Sequence, residues 1–274
     1  MKKYLSIIAI MALATLSFTS CGNDTTDSGS TQANVGFYLT DAPIVKGYQA
    51  VNLDVKAISY ATSADSTQWV SLPIDQSVVE ITKLTNGKNL ALGNVVLDAG
   101  VKVTQIRFVL GNNNTIVLND GTVKPLNVPS GYTSGLKLNV QSVASLTSGY
   151  SVIIDFDAAR SIVAMGNGNY SLKPVVRSYI EANTSYIDGY LTPVKEAVRV
   201  FTVTSKGDTI STVSDTLNYN YFRVSGLLSG TYTLKAQNLK TDSIYTLQEN
   251  IPVLGGTNVH LSTTDQPLVI PEIN

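Results

Sequence analysis

The feature that most constrains the fold is a series of short apolar segments in which every second residue is polar, separated by Gly, Asn, Asp and Pro. Three segments follow this rule: residues 51–57, residues 136–141 and, with Ile153 as the exception, residues 152–157. Alternation with a period of two is typical of a strand with one face in a core and the other in water. Because Val, Ile, Thr and Tyr are frequent from Val35 onward, the sequence predicts an all-β protein.

The alternation also predicts local irregularities. In residues 101–110 the apolar positions change parity, which predicts a β-bulge near Thr104-Gln105. Turn residues at 119–121 and 166–168 predict hairpin tips, because Asn, Asp and Gly tolerate positive φ. Helix is scarce, and the one short helix that we predict covers residues 158–165, with Asp157 as its N-cap.

The strand pattern divides the chain near residues 183–185. We predict two β-sandwich domains of immunoglobulin or transthyretin-like type, residues 34–183 and 184–264, and a tail at 265–274 that is either disordered or adds a strand to a neighbouring molecule. The second domain should contain seven short strands, at residues 187–191, 198–203, 209–213, 221–224, 231–236, 245–253 and 258–262.

The amino terminus predicts a location. Lys2 and Lys3 precede an apolar run that is too short to span a bilayer, and small residues follow before the only cysteine, Cys21. Residues 18–21 resemble a bacterial lipobox, with Phe where Leu is usual. The resemblance implies a signal peptide at residues 1–20 and acylation of Cys21, where each buried CH₂ contributes about 0.8 kcal/mol of membrane affinity. The alternative is an ordinary signal peptide that leaves a free thiol.

Residues 21–33 form the lipidated terminus and a flexible linker of small polar residues. Asp24 and Asp27 resemble the acidic export signal of lipoproteins that the Bacteroidetes display outside the outer membrane, although such residues are also common in solvated linkers. We therefore expect a lipid-anchored outer-membrane protein, facing either the periplasm or the exterior, whose first partner is membrane lipid.

Charge and composition exclude several classes. Residues 1–20 carry two of the 19 basic residues and none of the 20 acidic ones, so the mature chain has a formal charge of 17 minus 20, or −3. Its basic residues are scattered singly, which excludes nucleic acid as a partner. With Cys21 acylated and one histidine in the chain, neither a disulfide nor a zinc site is expected, and the absence of phosphate-loop motifs predicts no nucleotide cofactor.

Several spaced motifs of the first domain resemble a known family. They lie at residues 39–43, 129–131, 135–137, 155–158 and 172–177. Together they resemble the secreted bacterial domain of unknown function family 4382, over about residues 33–182. The resemblance implies a β-rich extracytoplasmic domain that is common in lipoproteins, and it implies no activity.

A second resemblance covers the carboxyl-terminal half. The spacing F-x-V-x-G-L-x-x-G-x-Y-x-L at residues 222–234 resembles a transthyretin-like, carboxypeptidase regulatory-type domain. Such domains are Greek-key sandwiches that serve other modules as spacers or binding units. The Asp-x-x-Gly that usually precedes the Phe is absent here.

The first candidate site is a carboxylate pair. Asp155 and Asp157 lie two apart on a predicted strand, about 7 Å along the chain, which is compatible with a glycoside hydrolase. The competing interpretation is structural, with Asp157 capping a helix and Asp155 pairing with Lys137, Lys173 or Arg177. Calcium held by the same carboxylates and Asp41 is a weaker hypothesis, because no calcium loop is present.

The second candidate site is aromatic. We expect Tyr219 and Tyr221 to share a strand face, where exposed rings could stack on sugars, although tyrosines also serve cross-strand packing. Tyr179, Tyr186 and Tyr190 should lie near the domain junction. The only histidine, His260, is expected to be an ordinary surface residue, and no G-x-S-x-G nucleophile elbow accompanies it.

These features together predict a non-catalytic, lipid-anchored envelope protein without cofactors. Its role would be binding, adhesion or assembly at the cell surface, with a glycan or a protein as partner. The alternatives are a carbohydrate-binding lipoprotein of a glycan-uptake system and, with less support, a carboxylate-dependent glycan hydrolase.

Overall fold

The computed structural model describes residues 32–42, 48–63, 65, 67–74, 78–129, 134–141, 149–193 and 196–271. The predicted signal peptide, Cys21 and most of the linker lie outside the described residues. Two hydrophobic cores organise this part of the chain, one built from residues between Val35 and Ile180 and the other from residues between Ile187 and Ile270. The all-β prediction is confirmed, because strands dominate both regions.

Thirteen strands form the first region. They are β1 (Gln32–Ala42), β2 (Tyr48–Thr62), β3 (Val70–Leu72), β4 (Val78–Glu80), β5 (Leu90–Asp98), β6 (Val103–Leu110), β7 (Thr115–Leu118), β8 (Val123–Asn127), β9 (Leu136–Gln141), β10 (Tyr150–Asp157), β11 (Ile162–Ala164), β12 (Tyr170–Leu172) and β13 (Val176–Ile180). The only α-helix among the described residues is α1 (Ala158–Ser161), and single 3-10 turns occur at Ile81–Lys83 and Glu181–Asn183.

These strands are hydrogen-bonded in the order β11-β12-β8-β7-β2-β6-β9-β13-β10-β1-β5, and β3 and β4 add to β2. Inward side chains of β1 and β10 share one core with those of β2 and β6, so the connected sheet folds over onto itself. Phe37, Phe108 and Phe156 are fully buried at its centre. Strand β10 lies between β1, which is parallel to it, and β13, which is antiparallel.

Most local predictions for this region hold. The predicted bulge is confirmed, because Ala61 pairs with Gln105 while Thr62 pairs with Val103, which leaves Thr104 as the extra residue. The two hairpin tips are confirmed as well, with positive φ at Gly121 and Gly168.

Two local predictions are wrong. The helix after Asp157 ends at Ser161 rather than Met165, because Ile162–Ala164 pairs with β12 as a strand. In β2, Ala57 does not continue the buried face of Val51 and Val55, because the pairing with β6 shifts register between Val55 and Ala57.

Nine strands form the second region. They are β14 (Ser185–Gly189), β15 (Leu191–Thr192), β16 (Val198–Val203), β17 (Thr209–Val213), β18 (Phe222–Leu227), β19 (Gly230–Asn238), β20 (Ile244–Val253), β21 (Val259–His260) and β22 (Leu268–Val269), with a 3-10 turn at Thr216–Asn218. The sheet β17-β16-β19-β20 packs over β18-β14-β21 and the pair β15-β22 around one core.

The carboxyl-terminal segment is part of the second region up to Ile270 and is not a free tail there. Leu268–Val269 pairs in parallel with Leu191–Thr192, and the amide of Ile270 donates to the carbonyl of Thr192 at 2.8 Å. The Ile270 side chain is buried in the second core. The prediction that this segment is disordered or joins a neighbouring molecule is therefore wrong for residues 268–270.

Candidate functional site

The first predicted residue, Asp155, lies on the outer face of β10, where Arg177 of β13 is its direct register partner. Nε of Arg177 donates to Oδ2 of Asp155 at 2.7 Å, and Nη2 lies 2.5 Å from the same oxygen. The predicted ion pair is therefore confirmed with Arg177, one of its three candidate partners. Because β10 is central, its outer face would be open to water unless another element covered it.

The second carboxylate, Asp157, ends β10 and begins α1. Its Oδ1 accepts the backbone N–H of Arg160 at 2.9 Å, and its Oδ2 accepts Nε of Arg160 at 2.6 Å. The predicted N-cap is confirmed, and the arginine neutralises the cap charge. Both carboxylates of the pair are thus paired with guanidinium groups. This agrees with the interpretation in which Asp157 caps a helix and Asp155 forms an ion pair.

A third carboxylate, Asp41, lies beside them on β1 and faces inward. Its Oδ1 accepts the N–H of Ala158 at 3.1 Å, and its Oδ2 is buried without a hydrogen-bond partner among the described residues. Burial raises the pKa of Asp41 well above its ordinary value, and the charges of Asp155 and Asp157 raise it further. No group of three or more His, Cys, Asp or Glu side chains in the described part of the chain is arranged to hold a metal ion.

The second region covers this outer face, and Arg177 joins the two. Its Nη1 donates to the carbonyl of Gly226 at 3.0 Å and its Nη2 to the carbonyl of Ser225 at 2.9 Å, both on β18. Its guanidinium also lies 5.0 Å from the ring centre of Tyr179. One arginine therefore neutralises a buried carboxylate of the first region and binds two carbonyls of the second.

Asn86, in the turn before β5, makes a second connection. Its Nδ2 donates to the carbonyl of Val213 at 2.9 Å. Its Oδ1 accepts from the Thr212 hydroxyl at 2.8 Å and from the N–H of Arg223 at 3.1 Å. Asn86 has a φ of 54°, which Asn tolerates better than most residues, so the turn can aim this amide at the second region.

Between these connections the two regions leave an open cleft of about 360 Å³. Asp155 and Asp157 line it, together with Arg160 on the same wall and Lys206 on the opposite one. A groove of about 200 Å³ also lies at the junction, lined by Tyr179, Tyr186 and Arg223 among others. The carboxylate pair therefore borders a cleft, although both of its members are held by arginines.

The aromatic prediction concerns the side of sheet β18-β14-β21 that is turned away from the second core and borders the groove at the junction. We call it the Tyr221 surface and define it by six side chains: Tyr186, Asp188, Tyr190, Tyr221, Arg223 and His260. They touch in a continuous series, in which the ring centres of Tyr190 and Tyr221 lie 5.4 Å apart and those of Tyr186 and His260 lie 5.8 Å apart. The Arg223 guanidinium lies 3.7 Å from the ring centre of Tyr186.

Asp188 is the centre of this surface. Its Oδ1 lies 2.6 Å from Nδ1 of His260, and its Oδ2 accepts the Tyr221 hydroxyl at 3.0 Å. Burial, and then the charge of Asp188, raises the pKa of Tyr221, so the hydroxyl stays protonated and donates. The His260 side chain is 66 % exposed, as predicted for a surface residue, yet it is held in place by Asp188 and Tyr186.

The structure separates the two tyrosines that were expected to share a strand. Tyr219 follows the 3-10 turn with a left-handed φ of 51° and is 66 % exposed, whereas Tyr221 pairs with Asp215 and belongs to the Tyr221 surface. The shared strand face is therefore wrong, because the chain turns between them. Asp188 and Arg223 were missed, although the alternation Tyr186, Asp188, Tyr190 is visible in the sequence.

The family assignment follows from the sequence model of a domain of unknown function, DUF4382, which matches residues 32–174. The chain belongs to this family. The match covers the first region from β1 to β12, with Asp41, Asp155 and Asp157, and ends before β13. No protein of curated function matches the sequence.

Solved structures give only distant similarity. The major pilin subunit BcpA of Bacillus cereus is 9% identical, with 84% of this chain and 69% of that chain covered and a TM-score of 0.19. A fimbrial protein of Bacteroides ovatus is 8% identical, with 88% and 50% covered and a TM-score of 0.20. The pilus adhesin SpaC of Lactobacillus rhamnosus GG is 14% identical, with 87% and 32% covered and a TM-score of 0.18. Similarity at this level supports no conclusion about fold or function.

In the described residues, no helix has both the length and the apolar character needed to cross a bilayer.

Proposed function

We propose that the protein is a non-catalytic, lipid-anchored protein of the cell envelope that acts in binding, adhesion or assembly at the cell surface. The observation that carries this proposal is the Tyr221 surface. It combines three aromatic rings with a carboxylate, a histidine and an arginine on a sheet face that the second core does not use. Rings and charged hydrogen-bonding groups in contact are the composition of a recognition surface.

The mechanism would be display. Acylated Cys21 would fix the base of the molecule in the outer membrane, and the linker of small polar residues would give it reach. Arg177 and Asn86 hold the second region against the first, so the Tyr221 surface has a fixed orientation. A surface that is already ordered loses less entropy when a partner binds.

A glycan is the more specific candidate for the partner, as in a carbohydrate-binding lipoprotein of a glycan-uptake system. The rings of Tyr190 and Tyr221 offer faces for stacking on a sugar, and Asp188, Arg223 and His260 offer groups that bond hydroxyls. A glycan hydrolase has less support, because arginines take up both Asp155 and Asp157.

The anchoring part is tested by replacing Cys21 with Ser and fractionating cells. The wild type should remain with the outer membrane, and the variant should be released in soluble form. Proteinase treatment of intact cells then reports orientation, since a surface-displayed protein is cleaved and one that faces the periplasm is protected. Retention of the Cys21→Ser protein in the membrane would contradict a lipid anchor.

The binding part is tested on a glycan array with the full-length protein in detergent. We expect binding that Tyr221→Ala and His260→Ala abolish, and Tyr219→Ala shows whether the neighbouring ring contributes. Tyr38→Ala, a half-buried tyrosine of the first region, is the matched control and should bind normally. Binding that survives the loss of both Tyr221 and His260 would remove the site, and release of reducing sugar from a bound glycan would contradict the non-catalytic role.

A further inference from the structure

The cleft between the two regions has the properties of a small-molecule site. Its volume of about 360 Å³ lies within the usual range for ligand pockets, about 300 to 1,000 Å³. One wall comes from the end of β10, α1 and the start of β13, and the other from the β16–β17 turn and the β18–β19 turn. Ligand sites are frequent at such junctions, because two units can supply groups that neither could bring together alone.

Hydrogen bonds within the chain hold the two walls of the cleft together. Arg177 lines it and connects Asp155 of one wall to the carbonyls of Ser225 and Gly226 of the other. Asn86 holds the same two regions together elsewhere along the junction. A ligand that enters would therefore not have to order the two walls, which favours affinity.

The charges of the cleft favour an anion. Asp155 and Asp157 already accept from Arg177 and Arg160. Lys206 on the opposite wall makes no ion pair within the part of the chain that the structure describes, not even with the nearby Asp208.

Arg160 also retains binding capacity. Its Nε is used by Asp157, whereas no described residue accepts from its terminal nitrogens, and its side chain is 40 % exposed. The terminal nitrogens of an arginine form a planar fork that matches a carboxylate.

Further positive charge lies behind the cleft wall. Nη2 of Arg199 lies 3.4 Å from the hydroxyl of Ser211, a lining residue, and its Nε is buried without an acceptor among the described residues. The lining itself holds three carboxylates, Asp155, Asp157 and Asp208, and three cations, Arg160, Arg177 and Lys206, so the excess of positive charge comes from Arg199 behind the wall.

The remaining lining residues include apolar side chains and five serine or threonine hydroxyls, which belong to Thr204, Ser205, Thr209, Ser211 and Ser229. Neutral groups that both donate and accept hydrogen bonds suit a ligand with hydroxyl groups better than they suit an apolar ligand. An anion held between Arg160 and Lys206 would direct the rest of its structure toward them.

We propose that this cleft binds a small hydroxylated carboxylic acid of the hexuronic acid class, with the carboxylate between Arg160 and Lys206 and the hydroxyls on the serines and threonines. The site is separate from the Tyr221 surface and does not depend on the display role. Either could be present without the other.

The test is isothermal titration calorimetry of the full-length protein in detergent with galacturonate and glucuronate, against glucose and inorganic phosphate as reference probes. We expect at least one of the two acids to bind more tightly than glucose or phosphate. Lys206→Gln should weaken that binding by about tenfold, since a charge-assisted hydrogen bond is lost. Because Lys206 has no partner among the described residues, this change should leave the unfolding midpoint unchanged.

Three further variants complete the test. Lys240→Gln removes an exposed lysine of the same region outside the cleft and should bind like the wild type. Arg160→Lys keeps the charge and loses the planar fork, so it should weaken binding less than Arg160→Gln does.

Three results would overturn the proposal. One is no heat of binding for either acid at millimolar concentration. Another is glucose or phosphate binding as tightly as the acids, which would indicate a neutral-sugar or a general anion site. The third is binding that neither Lys206→Gln nor Arg160→Gln changes. None of these results would affect glycan binding at the Tyr221 surface, so failure of one proposal can be told from failure of the other.

Discussion

Two cross-strand pairs in this molecule share a local design and differ in their surroundings. Asp155 pairs with Arg177 between β10 and β13, and Asp188 pairs with His260 between β14 and β21. The first pair lies under the second region and is largely buried, whereas in the second pair Asp188 is buried and the His260 side chain is 66 % exposed.

The difference shows what covering a sheet face does to a polar pair. When the face is covered, the cation must satisfy every neighbouring acceptor, and Arg177 does so by also binding Ser225 and Gly226. When the face is open, water can satisfy what the protein does not. The histidine then remains available to a partner, and the pair can serve recognition rather than cohesion.

The comparison is tested most severely by Arg177→Met. Removing this guanidinium leaves the Asp155 carboxylate and two carbonyls without their donor, so we expect a loss of about 3 to 5 kcal/mol in the free energy of unfolding. Urea unfolding measures the loss, and limited proteolysis near residues 181–184 should become faster as the regions separate. The double variant Asp155→Asn, Arg177→Met should recover part of the loss, and no recovery would contradict the role of the pair.

The second connection should be weaker. Asn86→Gly tolerates the positive φ and removes three hydrogen bonds to the second region, for an expected loss of about 2 kcal/mol. Asn89→Gly, a nearby change that removes an amide without these three bonds, is the control for general loop effects. If the two variants unfold at the same urea concentration, Asn86 does not connect the regions.

The buried carboxyl of Asp41, on the inward face of β1, should make the stability of the first region depend on pH. Because the pKa of Asp41 is raised in the folded state, its contribution is most favourable at low pH and is lost as pH rises from about 4 through the folded pKa, by at most about 1.4 kcal/mol per pH unit. Asp41→Asn cannot ionise and should remove this slope. Unfolding curves of both proteins between pH 4 and 8 measure it, and parallel profiles would exclude the effect.

Substitutions on the Tyr221 surface should lower the free energy of unfolding least. Tyr221→Phe removes the hydroxyl that Asp188 accepts, and we expect a loss of about 1 kcal/mol in the free energy of unfolding, since Asp188 keeps His260, whose side chain is 66 % exposed. Tyr219→Phe, at an exposed hydroxyl, should have no measurable effect and is the matched control. A loss for Tyr221→Phe as large as that for Arg177→Met would show that the two faces do not differ as we describe.

Much of the local fold could be predicted because parity along a strand is a local property. The change of parity between Val103 and Ile106 was sufficient to predict the bulge at Thr104. Parity gave a wrong prediction where the chain leaves strand geometry but the residue composition stays typical of a strand. Tyr219 and Tyr221 have the same parity, but the left-handed residues Tyr219 and Asn220 turn the chain between them.

The junction could not be predicted, since it depends on which sheet face another region covers. Nothing local distinguishes Arg177 from Lys137 or Lys173 as a partner for Asp155, and only the strand order brings Arg177 beside it. The role of Asn86 is hidden for the same reason, because Asn-Gly at residues 86–87 indicates a turn and nothing more. The Asp188 and His260 pair likewise required the parallel pairing of β14 with β21.

The pairing of β15 with β22 has a consequence for the order of folding. Leu191, near the start of the second region, has Leu268 as its strand partner among the described residues, and Ile270 fills the same core. Contacts between residues so distant in sequence form slowly, because the intervening loop must be closed first. The first core, whose last buried residue is Ile180, can form during synthesis, whereas the second must wait until Ile270 has been made.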